Sequence, residues 1–115
     1  MSSQLLQEII ATYKRHGWKL QRVLWRPQTR AVLQPEADEV FEDAVCVESD
    51  LDALWFARPS TASREAWELR LVAEQPYALF EAFEKDELEA DRERKRGEME
   101  IKLREYASAR PTYRV

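Results

Sequence analysis

The chain has 115 residues, of which 44% are hydrophobic and 35% charged, with a net charge of −4, one cysteine and two glycines. This composition fits one globular domain, residues 1–115, with its own core and a heavily charged acidic surface, and it excludes a disordered chain. It also excludes an intramolecular disulfide, a multi-cysteine zinc site and the clustered glycines of phosphate-cradling or dinucleotide-binding loops, and it disfavours general binding to nucleic acid or anionic membrane.

Residues 3–16 read as a helix. Ser3 is placed to cap its start, and Leu5, Leu6, Ile9, Ile10 and Tyr13 make one broad apolar stripe. Lys14, Arg15 and His16 bring cationic groups to the negative end of the dipole, and Gly17 sits where a left-handed C′ residue is wanted. Trp18 to Trp25 reads as a strand, with Trp18, Leu20, Arg22 and Leu24 on one face and Lys19, Gln21, Val23 and Trp25 on the other. Pro27 ends it.

Thr29 to Gln34 has room for one helical turn before Pro35. Ala37, Val40, Phe41 and Ala44 then repeat at helical spacing, so a short helix is expected from about 36 to 44. Val45 to Arg58 alternates as one long bent strand or as two strands broken at Ser49–Asp50, with 52–58 the firmest part. Residues 59–64, Pro-Ser-Thr-Ala-Ser-Arg, read as a loop.

The stretch from Trp67 to Phe83 organises the chain. Residues 67–72 alternate apolar and charged side chains, and 77–83 are aromatic-rich and strand-like. The four residues 73–76 between them predict a hairpin in which Val72 faces Tyr77 and Leu69 faces Phe80. In that register Trp67, Leu69 and Leu71 share a face with Ala78, Phe80 and Ala82. The other face carries Glu68, Arg70 and Val72 beside Tyr77, Leu79, Glu81 and Phe83, a mixture neither plainly surface nor plainly core.

Residues 86–109 are helix-prone, with an acidic start and three i,i+4 acid–base pairs in the favourable order. Met99, Leu103 and Tyr106 form a thin apolar stripe, Gly97 marks a bend, and Pro111 ends the region. The thin stripe suggests that 86–110 projects from the body or meets a second copy. The fold expected is α+β, a largely antiparallel sheet of four or five strands packed against the N-terminal helix, with a C-terminal helix. The Leu5/Ile9/Tyr13 stripe is expected to cover the Trp67/Leu69/Leu71 face.

Asp50 and Asp52 have the spacing of a carboxylate pair, but with no further placed ligand they read as solvated groups at a strand start. His16 reads as a helix-end cation rather than a general base, and Cys46 as a buried apolar thiol rather than a nucleophile. Arg92, Arg94, Lys95 and Arg96 form a basic run, yet acids interleave with it and it lacks aromatics for base stacking, so it reads as a solvated, self-paired helix face. The four tryptophans and the mixed hairpin face point to a recognition surface with Trp55, Arg58, Arg70, Tyr77 and Phe83 as candidate binding residues.

No triad, metal set or phosphate loop is present to define an enzyme class, and no cofactor is implied. The expectation is a non-enzymatic protein-interaction or chaperone-like module using an amphipathic sheet face, as a homodimer or with another protein. The alternative is a small-molecule binder or minor enzyme with an aromatic pocket between sheet and helix, Arg58, Arg70 and Tyr77 supplying the polar groups. Nucleic-acid binding through 92–96 is disfavoured. Neither a long apolar run nor a signal-peptide pattern is seen, so a cytosolic protein without membrane attachment is expected.

Overall fold

The computed structural model describes residues 3–73 and 75–109. Helix α1 (Ser3–Arg15) leads into β1 (Lys19–Trp25), α2 (Pro27–Leu33), a 3-10 turn over Gln34–Glu36 and α3 (Ala37–Phe41). Strands β2 (Val45–Glu48), β3 (Ala53–Thr61), β4 (Arg64–Leu71) and β5 (Ala78–Glu84) follow, and α4 (Glu89–Ala109) closes the order. The five strands form one sheet in the order β2-β1-β3-β4-β5, antiparallel except for the parallel β1–β2 pair. The chain is therefore α+β, as composition and order predict. Among the described residues, no helix is long and apolar enough to cross a membrane.

Helix α1 ends as its sequence demands. Gly17 adopts a φ of 85°, and the Gly17 and Trp18 amides donate to the Lys14 and Tyr13 carbonyls at 3.0 Å each. These are the paired bonds of a Schellman motif, possible here because glycine carries no Cβ to clash. Ser3 lies within the helix rather than capping it, and its hydroxyl donates to Glu36 at 3.2 Å.

The helices sandwich the sheet. On one face Leu6, Ile9 and Ile10 of α1 pack with Leu20, Val23, Trp25, Leu54 and Phe56, and with Leu33 and Phe41 of the short helices. On the other, Met99 and Leu103 of α4 pack with Leu24, Ala53, Trp55, Ala57, Trp67, Leu69, Leu71 and Phe83. The expected pairing of α1 with the Trp67/Leu69/Leu71 face is thus corrected: α4 covers that face. The last helix does not stand off the body. Its inward stripe extends N-terminally as Arg96, 1% exposed, and half-buried Arg92, ahead of Met99, Leu103 and half-buried Tyr106. An i, i+4, i+7 row of arginines and apolar residues is invisible to a search for apolar positions alone. Pro111 and Glu74 lie outside the described residues.

Three further corrections concern the strands. A bulge at Gln21 puts Leu20 opposite Phe56 and Arg22 opposite Trp55, so Leu20 joins Val23 and Trp25 on the α1 face instead of Leu24. The extra residue inverts the alternation, as bulges do. Residues 59–64 are mostly strand: β3 continues through Pro59, the register shifts between Pro59 and Thr61, and only Ala62–Ser63 turn. Proline is accommodated because its missing N–H is directed away from β4, on the side where the pairing with β1 ends at Ala57.

The third correction is the register of β4 with β5. Leu69 faces Leu79, Glu68 faces Phe80 and Trp67 faces Glu81. The Leu71 amide donates to the Tyr77 carbonyl at 2.9 Å, while the Val72 amide donates to Asp52 of the β3 side at 3.0 Å. The connection therefore spans the five residues 72–76 rather than four, and a one-residue difference exchanges the faces of β5. Leu79 and Phe83 join Trp67, Leu69 and Leu71 under α4, and Ala78, Phe80 and Ala82 join Glu68 and Arg70 on the other face.

Candidate functional site

The five residues singled out from sequence divide between the two faces. Trp55 and Phe83 are fully buried beneath α4. The Trp55 indole donates to Glu100 at 2.8 Å, and Phe83 packs edge-on to Trp67 at 6.5 Å. Tyr77 lies on the same side, stacked on Tyr106 of α4 at 3.5 Å. Arg58 and Arg70 are on the opposite side. The Arg58 guanidinium covers Trp18 at 4.7 Å and donates to the His16 carbonyl at 2.5 Å. Arg70 donates to the Leu71 carbonyl. Trp55 and Phe83 are consequently core residues, and Arg58, Arg70 and Tyr77 do not converge on one pocket.

The basic run is absorbed by the fold. The Arg92 side chain donates to the Glu84 and Lys85 carbonyls at 2.9 and 2.8 Å, tying α4 to the end of β5. Arg96 sits 4.4 Å from the Trp67 ring and 5.7 Å from Phe83, and it pairs with Glu89 and Glu93. Glu93 also holds Arg22 of β1 at 2.8 Å, and this hydrogen bond lowers its carboxyl from the ordinary 4.5 to about 2 against the opposing effect of burial. Arg94 pairs with Asp91 and Glu98, and Lys95 with Glu87.

Asp50 and Asp52 are not a paired site. Asp50 is exposed and bound to Arg104 at 2.7 Å, and this hydrogen bond lowers its carboxyl pKa from the ordinary value. Asp52 is 6% exposed rather than solvated. It accepts the Arg26 amide at 2.9 Å, the Arg26 guanidinium at 3.0 and 3.1 Å and the Thr29 hydroxyl at 2.8 Å. It thereby anchors the start of α2, whose own N-cap position offers no side-chain bond. Cys46 lies exposed on the edge strand β2, not in the core. Partial burial and the nearby Asp38 push its thiol upward, away from a reactive thiolate. Among the described residues, no group of three or more His, Cys, Asp or Glu is placed to hold a metal ion.

One surface does combine exposed aromatic area with charge: the part of the β4–β5 face that α1 does not cover. Phe80 is 58% exposed there, with Ala78 and Ala82 on either side of it along β5 and Glu68 opposite it on β4. Tyr13 of α1 stacks on Phe56 at 4.0 Å and donates its hydroxyl to Glu68. Burial first, and the Glu68 bond second, raise the Tyr13 hydroxyl well above its ordinary value, so it stays a donor. Beyond it Thr12, Tyr13, His16, Trp18 and Glu68 line an open groove of about 220 Å³. The surface thus runs from Trp18 and Arg58 past Tyr13, Glu68 and Arg70 to Phe80.

The mixed face expected from the sequence therefore exists, with Glu68 and Arg70 as members, but Phe80 is its aromatic residue rather than Tyr77 or Phe83. The bulk of each row carried the missing signal. Tyr77, Leu79 and Phe83 offer more apolar surface to a helix than Ala78, Phe80 and Ala82, and the richer row is the one that α4 covers. Comparison of the chain with protein-family models, with curated proteins and with solved structures gives no match.

Proposed function

We propose that the chain is a non-enzymatic protein-interaction module that binds through the uncovered β4–β5 face, with Phe80 at its centre and Glu68 and Arg70 beside it. The observation that carries the reading is the 58% exposure of Phe80 on a half-polar face of an edge strand. A large aromatic ring left in water, beside small residues that leave it accessible, supplies the anchor around which interfaces form, with the flanking ions as its rim. The charged surface and single thiol suit action in the cytosol.

The aromatic-pocket reading draws less support, because its residues lie on both sides of the sheet and two of them are core. The test is a photo-crosslinking amino acid placed at position 80 and, separately, at exposed Val32 of α2, in cells expressing the chain. A discrete protein adduct at 80 and none at 32 supports the reading. Equal or absent adducts at the two positions refute it.

A further inference from the structure

We propose that the partner on this surface is a second copy of the chain, joined by antiparallel pairing of β5 with β5 about a two-fold axis through Phe80. The inference rests on the reading of the Phe80 surface as an interface and names its occupant.

The geometry begins with the β4–β5 ladder. Leu71 donates to Tyr77, and Lys85 donates to Ser63 at 2.8 Å, in the same register. Antiparallel strands alternate, so the odd-numbered residues of β5 direct N–H and C=O to β4 and the even-numbered ones direct theirs outward. Among the described residues, the sheet has no further strand beyond β5. At Glu84 the outward groups are already engaged: the amide donates to Glu87 at 3.2 Å and the carbonyl accepts from Arg92 at 2.9 Å. Ala78, Phe80 and Ala82 are left, and among the described residues no strand pairs with their outward side. Such an edge is a template for another strand, and β5 has neither a proline nor a lysine within it to discourage pairing.

Only one two-fold register uses all of these groups. With the axis at Phe80, Phe80 faces Phe80 of the partner subunit and Ala78 faces Ala82 of the partner subunit, and each of these facing pairs exchanges two bonds. The ladder then ends by itself, because Glu84 faces Pro76 of the partner subunit, one residue satisfied and the other without a donor. On the α4 side Leu79 faces Glu81 of the partner subunit, so no like charges meet. An axis at Glu81 sets two carboxylates directly opposite, and an axis at Leu79 sets Ala82 against the partner subunit's donorless Pro76. The Phe80 axis also stacks the two exposed rings, with alanines leaving space around them.

The other edge, β2, fits a second copy poorly. Its valines are exposed, but Glu42 and Asp43 precede it and Glu48 and Asp50 follow it, so antiparallel self-pairing brings acid to acid at both ends.

The experiment is sedimentation velocity of the full chain over a concentration series into the high-micromolar range, with Ala82→Pro and Phe80→Glu variants. Ala82→Pro deletes an outward N–H without touching the bonds to β4, so the subunit fold is retained, and far-UV circular dichroism checks that it is. Phe80→Glu replaces an exposed ring with a charge that meets its own copy at the axis. The expected result is a reversible monomer–dimer equilibrium whose dissociation constant rises at least about tenfold in each variant. A chain that stays monomeric throughout, or a dimer indifferent to both changes, overturns the proposal. Crosslinking of position 80 to a different protein, together with a monomer in the centrifuge, refutes self-pairing while leaving the interaction reading intact.

Discussion

Replacing Arg96 by alanine tests the packing of α4 most sharply, because a charged residue in a helix so rich in charge would ordinarily be dispensable. Arg96 is 1% exposed, with its guanidinium 4.4 Å from the Trp67 ring and hydrogen-bonded to Glu93 at 2.9 and 3.1 Å. Three effects add. The desolvated cation–π contact contributes about 2 kcal/mol. The two stem methylenes beyond Cβ contribute about 1.6 kcal/mol at about 0.8 each. The ion pairs contribute less than about 1 kcal/mol, since Glu89 and Glu93 are 68% and 54% exposed and regain water when the arginine is removed. Arg96→Ala is therefore expected to cost about 4 kcal/mol. Arg96→Met keeps the stem and should lose about half of that, chiefly the cation–π term. Equilibrium urea unfolding followed by tryptophan fluorescence measures both, with Arg94→Ala as a control expected within about 0.5 kcal/mol of the parent. An Arg96→Ala protein as stable as the control would refute the placement of Arg96 between α4 and the sheet.

Two other perturbations follow from the same structure. Asp52→Ala strands the Thr29 hydroxyl and the Arg26 amide at the start of α2 and should destabilise by about 2–4 kcal/mol, measured by thermal or urea unfolding; a change below about 0.5 kcal/mol would show that Asp52 is solvated after all. Glu93 has a carboxyl lowered from 4.5 to about 2 in the folded chain, so its contribution is present above about pH 4.5 and disappears as pH falls through 2. Its exposure limits that contribution to about 1 kcal/mol. The stability gap between the parent and Glu93→Gln should thus be full at pH 7 and close between pH 5 and 2, and a gap that ignores pH would contradict the Arg22–Glu93–Arg96 arrangement.

The parts of the fold legible in the sequence are those governed by local chemistry. Gly17 after a cationic last turn marks the end of α1, and alternation in 52–58 and 67–71 marks the central strands. What escaped was parity. A bulge at Gln21 and one added residue in the 72–76 connection each exchange faces, and neither leaves a mark in composition, because any residue can occupy an extra position. The inward side of α4 escaped for a different reason: Arg92 and Arg96 look like solvent residues until Trp67 and the carbonyls at Glu84 and Lys85 are known to lie beneath them. The candidate surface inherits the first error. Glu68 and Arg70 fall on the mixed face in either register, whereas the identity of its aromatic residue depends on the loop length alone.

The register of β5 is the premise from which the exposure of Phe80 and the open edge both follow, and amide hydrogen exchange resolved by residue tests it directly. At low concentration the amides of Leu79, Glu81 and Phe83 should exchange slowly and those of Phe80 and Ala82 rapidly, with the latter two slowing as concentration rises and edges pair. The reverse pattern, with Phe80 and Ala82 protected in dilute monomer and Leu79 and Glu81 open, would contradict the register and everything built on it.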